Sequence, residues 1–289
     1  MNEMQPRRVW RPTFNGWLGL ILTLPIISLL GMLVIYPLVR VFLQASSGPD
    51  PVVRYVEVFT NNVSRRALIT TLSDSLVVTL VTVVLALAIA WTLHSTQRRW
   101  VRTVLWTATL IPMWIGVIMK NYAIFILFSR QGPLNGLMVE LGILGEPISL
   151  LYSDFAVIVG ISYSLIPYAV FSLYTAIAAV DLHTLRAAQS LGAMRTQALL
   201  GVALPAARNG IAASAALVFV LSIGFYITPI MLGGPQTAFM ATYISQQLNS
   251  RYDFEGAAAS AAVLLLIATA VLGTVIAIVG SKTLRKAIR

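Results

Sequence analysis

The sequence predicts an all-α fold: a polytopic membrane helix bundle of about six transmembrane helices, with both termini in the cytoplasm. Three observations predict it. First, 58% of the 289 residues are hydrophobic and only 10% are charged, with a mean hydropathy of +0.83. A soluble domain carries about 25% charged residues, and its wet exterior has no room for so much apolar surface. Second, apolar stretches recur at the length of about 20 residues that a helix needs to cross the hydrocarbon core. Third, the basic residues behind the net charge of +10 gather in alternate connections between those stretches. Together these exclude a cytosolic enzyme, a disordered tail and a collagen-like rod.

Residues 1–16 form a cytoplasmic N-terminal segment carrying Arg7, Arg8 and Arg11. The first span, 17–43, is too long for the h-region of a signal peptide, which runs to about 7–15 residues, so a retained helix is expected. Further spans are expected at 68–93, 101–128, 155–179, 210–232 and 257–279, with a long cytoplasmic loop at 180–206. All belong to one transmembrane domain, residues 1–289. This orientation puts thirteen of the twenty basic residues inside, among them Arg98, Arg99, Arg102, Arg186, Arg195, Arg208 and Lys282. Asp50, Glu57, Glu140, Glu146, Asp253 and Glu255 fall outside, as the positive-inside rule favours. The basic excess is thus assigned to topology and the bilayer, and no nucleic-acid partner is expected.

The chain has no cysteine, which removes disulfides and thiol chemistry, and His94 and His183 lack ligand spacing, so no metal site is expected. Pro25, Pro37, Pro112, Pro167 and Pro229 punctuate the spans. Each removes a backbone donor and tends to kink its helix, which suits a bundle that moves.

The 180–206 loop has helical content of its own. Asp181 or Thr184 can cap a short run of helix formers through Leu191, and Gly192 ends or bends it. A second amphipathic run carries Leu199, Leu200 and Val202, and Leu204-Pro205 is expected to stop it. The result is a helix–glycine–helix elbow on the inner face, a handle for another protein.

The spacing Ala187-Ala188, Gly192, Val202, Leu204-Pro205 resembles the EAA motif of permease subunits in binding-protein-dependent ABC importers. The segments Ile111-Pro112, Lys120 to Ala123, Gly132 to Asn135 and Gly224 to Gly234 are similar to the spermidine/putrescine-type branch. The resemblance implies the type I importer fold, with the elbow as a coupling helix docked into a cytoplasmic ATPase. It implies a second homologous permease in a heterodimer, two ATPase subunits and a periplasmic or extracellular substrate-binding protein, in the bacterial inner membrane. The chain would hold no cofactor and catalyse nothing itself; ATP and magnesium would sit on the ATPase partner. Consistently, the sequence contains no G-x-x-x-x-G-K-[ST] phosphate loop. Arg186 stands where the motif is acidic, either rebuilding a contact with the ATPase or serving topology as a solvated cation.

Ionisable groups inside spans suggest a pathway. Asp74 and Lys120 would both lie towards the outer leaflet, where Lys120 either snorkels to the interface or lines an outer gate, and matches a basic position in the family. Asp74 is its possible ion-pair partner. Tyr122, Tyr163, Tyr168, Phe171, Phe225 and Tyr226 either pack the bundle or line a cavity able to hold a cation over their rings. Polyamine is the expected substrate class, although the interiors of the third to fifth spans hold no carboxylate. An amino-acid-derived compound, a phosphonate or iron handled by the same machinery is an alternative, and a secondary transporter is a more distant one.

Overall fold

A computed structural model describes residues 16–47, 50–180, 187, 190–194, 197 and 199–287. The helices are α1 (Gly16–Ala45), α2 (Pro51–Thr60), α3 (Asn62–Ser95), α4 (Arg99–Trp114), α5 (Val117–Phe128), α6 (Pro133–Glu140) and α7 (Asp154–Ala178). After the cytoplasmic loop come α8 (Leu204–Ile223), α9 (Ile227–Leu232), α10 (Met240–Asn249) and α11 (Phe254–Ala287). Among the described residues, five helices are long and apolar enough to span a bilayer, and α4 with its bent continuation makes a sixth if the pair is one span.

The centre of the bundle is α3, α7 and α8 packed on one another. Asn61 starts α3 by accepting the Val63 N–H at 2.9 Å, a side-chain cap for one of the free donors of the first turn. The helix then buries Ala67, Thr71, Ser75, Val78, Thr82, Ala86, Ala90 and Leu93, a stripe at three- and four-residue spacing. Most of these side chains are small, so neighbouring helices approach closely, as membrane bundles require in the absence of a hydrophobic drive between helices. Ser153 caps α7 in the same way, through the Ala156 N–H at 3.3 Å. To the core shared with α3 and α8, α7 contributes Val157, Ile161, Leu165, Ala169, Leu173 and Ile177. A second cluster at the outer end joins Ala45, Val58, Leu68, Met240, Tyr243 and Ala259, and so ties α1, α2, α3, α10 and α11 together. The outward faces, such as Leu24, Met32 and Leu80, are exposed large apolar side chains that lipid would cover.

Two expected spans are broken. In place of one straight helix over 101–128, α4 ends at Trp114, and the segment Val117–Glu140, which opens with α5, lies at 108° to it. Ile115 and Gly116 are extended, with ψ of 126° and 147°. Pro112, one turn earlier, has already withdrawn a backbone donor. In place of 210–232, α8 begins earlier, at Leu204, stops at Ile223, and resumes as the short α9 after Gly224 to Tyr226. Leu204-Pro205 also reverses its expected role. A π-helical turn, Leu199–Ala203, runs straight into α8, and Pro205 sits in that helix's first turn. Proline's missing N–H costs nothing there, because first-turn donors have no intrahelical acceptor. It begins a helix instead of ending one.

Candidate functional site

On the cytoplasmic side the elbow is held by backbone conformation. The Leu191 N–H donates to the Ala187 carbonyl at 3.1 Å, closing the last turn of a helix in which Ala187 is exposed. Gly192 follows with φ of +92°, and a Cβ built there would meet nothing within 4 Å. The requirement for glycine is therefore conformational and not spatial: any side chain would be strained at that φ. The Met194 N–H then donates to Gln197 Oε1 at 2.8 Å, a side-chain acceptor three residues along the chain. Val202 is half-buried and packs on the central core, Ala203 is fully buried, Leu204 is half-buried and Pro205 is exposed. These residues root the elbow in the bundle. Outward, Leu191, Met194 and Leu200 are 89%, 70% and 65% exposed. Large apolar side chains left this exposed are a feature of surfaces that take a protein partner. Arg186 and Ala188 lie outside the described residues.

The residues expected to line a pathway separate into groups. Asp74 is 8% exposed, its Oδ1 accepts from the Ser73 hydroxyl at 3.3 Å, and its Oδ2 has no partner. Asp154, at the start of α7, is close enough to interact with it electrostatically. Asp154 is set there by the Ser153 cap and by the preceding turn, where Tyr152 has φ of 59° and donates its N–H to the Leu232 carbonyl at 2.9 Å. Lys120 does not pair with Asp74, because the ion pairs among the described residues all belong to Arg54. Nor does it snorkel: at 7% exposure it is enclosed in α5, which the bend at Gly116 turns away from the axis of α4.

Of the aromatic set, Tyr122 stacks on Phe125 with centroids 6.4 Å apart, and Phe171 lies against Trp106 at 5.5 Å. Tyr163 and Tyr168 are partly open along α7. Phe225 and Tyr226 form the break between α8 and α9, with the Tyr226 hydroxyl 2.9 Å from that of Ser245.

Sequence reasoning missed the contact that joins the two broken spans. The Thr228 hydroxyl of α9 donates to Asn121 Oδ1 of α5 at 3.1 Å, and neither residue is exposed. Gly160 of α7 makes room for it, since a Cβ there would approach Leu232 at 2.7 Å and Thr228 at 2.8 Å. The available signal was polarity: Asn121 and Thr228 each interrupt an apolar run beside a residue already singled out or a proline. In a span, such groups turn towards one another, because lipid offers no hydrogen bond.

Residues 82–285 match the family described as the binding-protein-dependent transport system inner membrane component. The chain belongs to that family. It is similar to the spermidine/putrescine transport system permease protein PotB of Escherichia coli K12, 28% identical over 255 residues that cover 88% of this chain and 91% of the relative. The Haemophilus influenzae protein of the same name is 28% identical over 221 residues, 76% of this chain and 77% of its own. Among solved structures, a bacterial alginate ABC transporter complexed with an alginate pentasaccharide-bound periplasmic protein superposes with a TM-score of 0.75 at 20% identity, covering 93% of this chain and 96% of that one. A MetNI methionine ABC transporter chain superposes with a TM-score of 0.60 at 18% identity, covering 76% and 95%. At those identities the likeness establishes the fold. The protein is a multi-pass permease subunit of an ABC importer with the all-α, type I architecture.

Proposed function

We propose that the permease imports polyamines across the bacterial inner membrane, together with a second homologous permease, two cytoplasmic ATPase subunits and a periplasmic binding protein. The substrate class rests on the spermidine/putrescine permeases that align with 88% of the chain. The observation that carries the coupling role is the elbow itself: a glycine at φ of +92° presenting Leu191, Met194 and Leu200 to the cytoplasm while Val202 anchors the structure in the core. Arg186, Ala187, Ala188, Gly192, Val202, Leu204 and Pro205 form the ATPase-coupling segment in this reading. Closure of two ATPases around ATP and magnesium moves the elbows, and the rooted segment transmits that motion to α8. The chain itself catalyses nothing.

The substrate pathway is assigned to Asp74, Lys120, Tyr122, Tyr163, Tyr168, Phe171, Phe225 and Tyr226. Asp74, buried beside Asp154 and unpaired with any cation among the described residues, supplies a negative potential where a polyammonium chain would enter. The exposed rings of Tyr163, Tyr168 and Tyr226 offer cation–π faces. Lys120 belongs to the gate, repelling the cation while it stays closed over the site.

Reconstitution of the full transporter in liposomes with labelled spermidine tests both halves. ATP-dependent uptake is expected, with an Asp74→Asn loss of about tenfold, the size of one desolvated charge interaction. Uptake that proceeds without ATPase subunits would overturn the coupling assignment. Uptake of phosphonate or amino acid with spermidine excluded would overturn the substrate assignment.

A further inference from the structure

A groove at the outer end of the molecule lies outside both sites. It is a cavity of about 360 Å³ between α1, α10 and α11, and apart from Arg40 and Gln44 every residue lining it is apolar, including Val41, Leu248, Phe254 and Ala261. Its depth follows from the helix geometry. Arg40 precedes the end of α1 at Ala45 by five residues, about 7.5 Å at 1.5 Å per residue. The α11 side of the groove is that helix's first two turns. The groove therefore straddles the outer boundary of the bilayer, with its apolar length towards the hydrocarbon.

The charge at its mouth is uncompensated. The nearest acidic residues on α11 and its approach, Asp253 and Glu255, are both taken by Arg54 of α2. No acidic residue lines the groove, and Arg40 forms no ion pair among the described residues. Its guanidinium lies over the Tyr36 ring, 5.8 Å from the centroid, one turn deeper along α1. It thus leans back along the helix, the direction in which helical side chains point, and not outward to water. A cation held at that depth without an anion is costly in a membrane.

We propose that this groove binds an anionic phospholipid of the outer leaflet, its acyl chain between α1, α10 and α11 and its phosphate on Arg40. A guanidinium matches a phosphate bidentately, and such charge-assisted bonds are about twice as strong as neutral ones. Gln44, one turn further out on the same face, is placed to donate to the headgroup or the ester carbonyls. The lipid would fix α1 against α11, its main packing partner.

The test is native mass spectrometry of the complete transporter, exchanged into detergent with equal amounts of phosphatidylglycerol and phosphatidylcholine of the same chain length. The wild type should retain phosphatidylglycerol roughly tenfold over phosphatidylcholine. Arg40→Gln should abolish that preference, and Ala261→Phe, which fills the groove, should lower retention of both lipids. Wild-type retention without headgroup preference, or a full preference surviving in Arg40→Gln, would overturn the proposal. So would efficient cross-linking of a cysteine at position 41 to the second permease in the assembled complex, which would put protein in the groove.

Discussion

The two ends of this permease are held by different means. The cytoplasmic elbow is shaped by backbone: a positive-φ glycine, a side-chain acceptor for the Met194 N–H and a π-helical turn leading into α8, with its large apolar side chains facing out. The outer end is tied by side chains from segments remote in sequence. Arg54 bonds Asp253 at 3.6 Å and pairs with Glu255, Ser260 donates to Gln247 at 3.1 Å, and Thr71 accepts the Met240 N–H at 2.6 Å. One end leaves large apolar side chains exposed; the other closes on itself. The comparison teaches that a local turn takes its shape from the backbone conformation of contiguous residues, whereas a closure needs long-range bonds that keep separate helices in register.

The largest effect that would break this contrast belongs to the elbow. Gly192→Val puts a β-branched residue at φ of +92°, a strain of about 1–3 kcal/mol. Spermidine uptake should fall at least about tenfold and the ATPase should no longer copurify, while membrane insertion is unchanged. Normal coupling in this variant would show that the elbow's shape is not preset.

Next comes Thr71→Val at the outer end. It leaves the buried Met240 N–H without an acceptor, at a cost of about 1–3 kcal/mol. Thermal unfolding in detergent should begin at lower temperature, with ATPase copurification retained. Loss of the ATPase here would mean that the two ends are not independent.

Arg54→Gln is expected to be milder, up to about 1 kcal/mol, because the pair is partly exposed. Faster hydrogen exchange in α2 would reveal it, and high salt should produce the same change in the wild type. Smallest of all is Arg66→Ala. Its exposed bond to Gln236 at 3.2 Å should contribute within about 0.5 kcal/mol, leaving unfolding and uptake unaltered.

Much of this architecture was legible in the sequence because membranes impose a length and a sign. The expected span at 68–93 lies within α3 and that at 155–179 matches α7 to within one residue at either end, each a run of apolar residues long enough to need no tertiary argument. The elbow's turn at Gly192 was equally local. The breaks after Trp114 and Ile223 were not legible, since apolar residues flank both and hydropathy does not register a bend. The role of Pro205 was misread for a related reason: helix formers flank it on both sides, so the sequence does not show whether the proline closes the run before it or opens the one after it.

What the sequence alone determined, then, is how many apolar runs the chain has and where the elbow turns. These depend on composition and a single glycine, both properties of contiguous residues. Tertiary structure decided that Lys120 is enclosed and unpaired with Asp74, that Asn121 meets Thr228 across 107 positions, and that Arg54 neutralises two acids while Arg40 is left bare. The physical reason is that a buried polar group must find its partner in space, and in a helix bundle that partner is set by how the helices pack and not by their order in the chain.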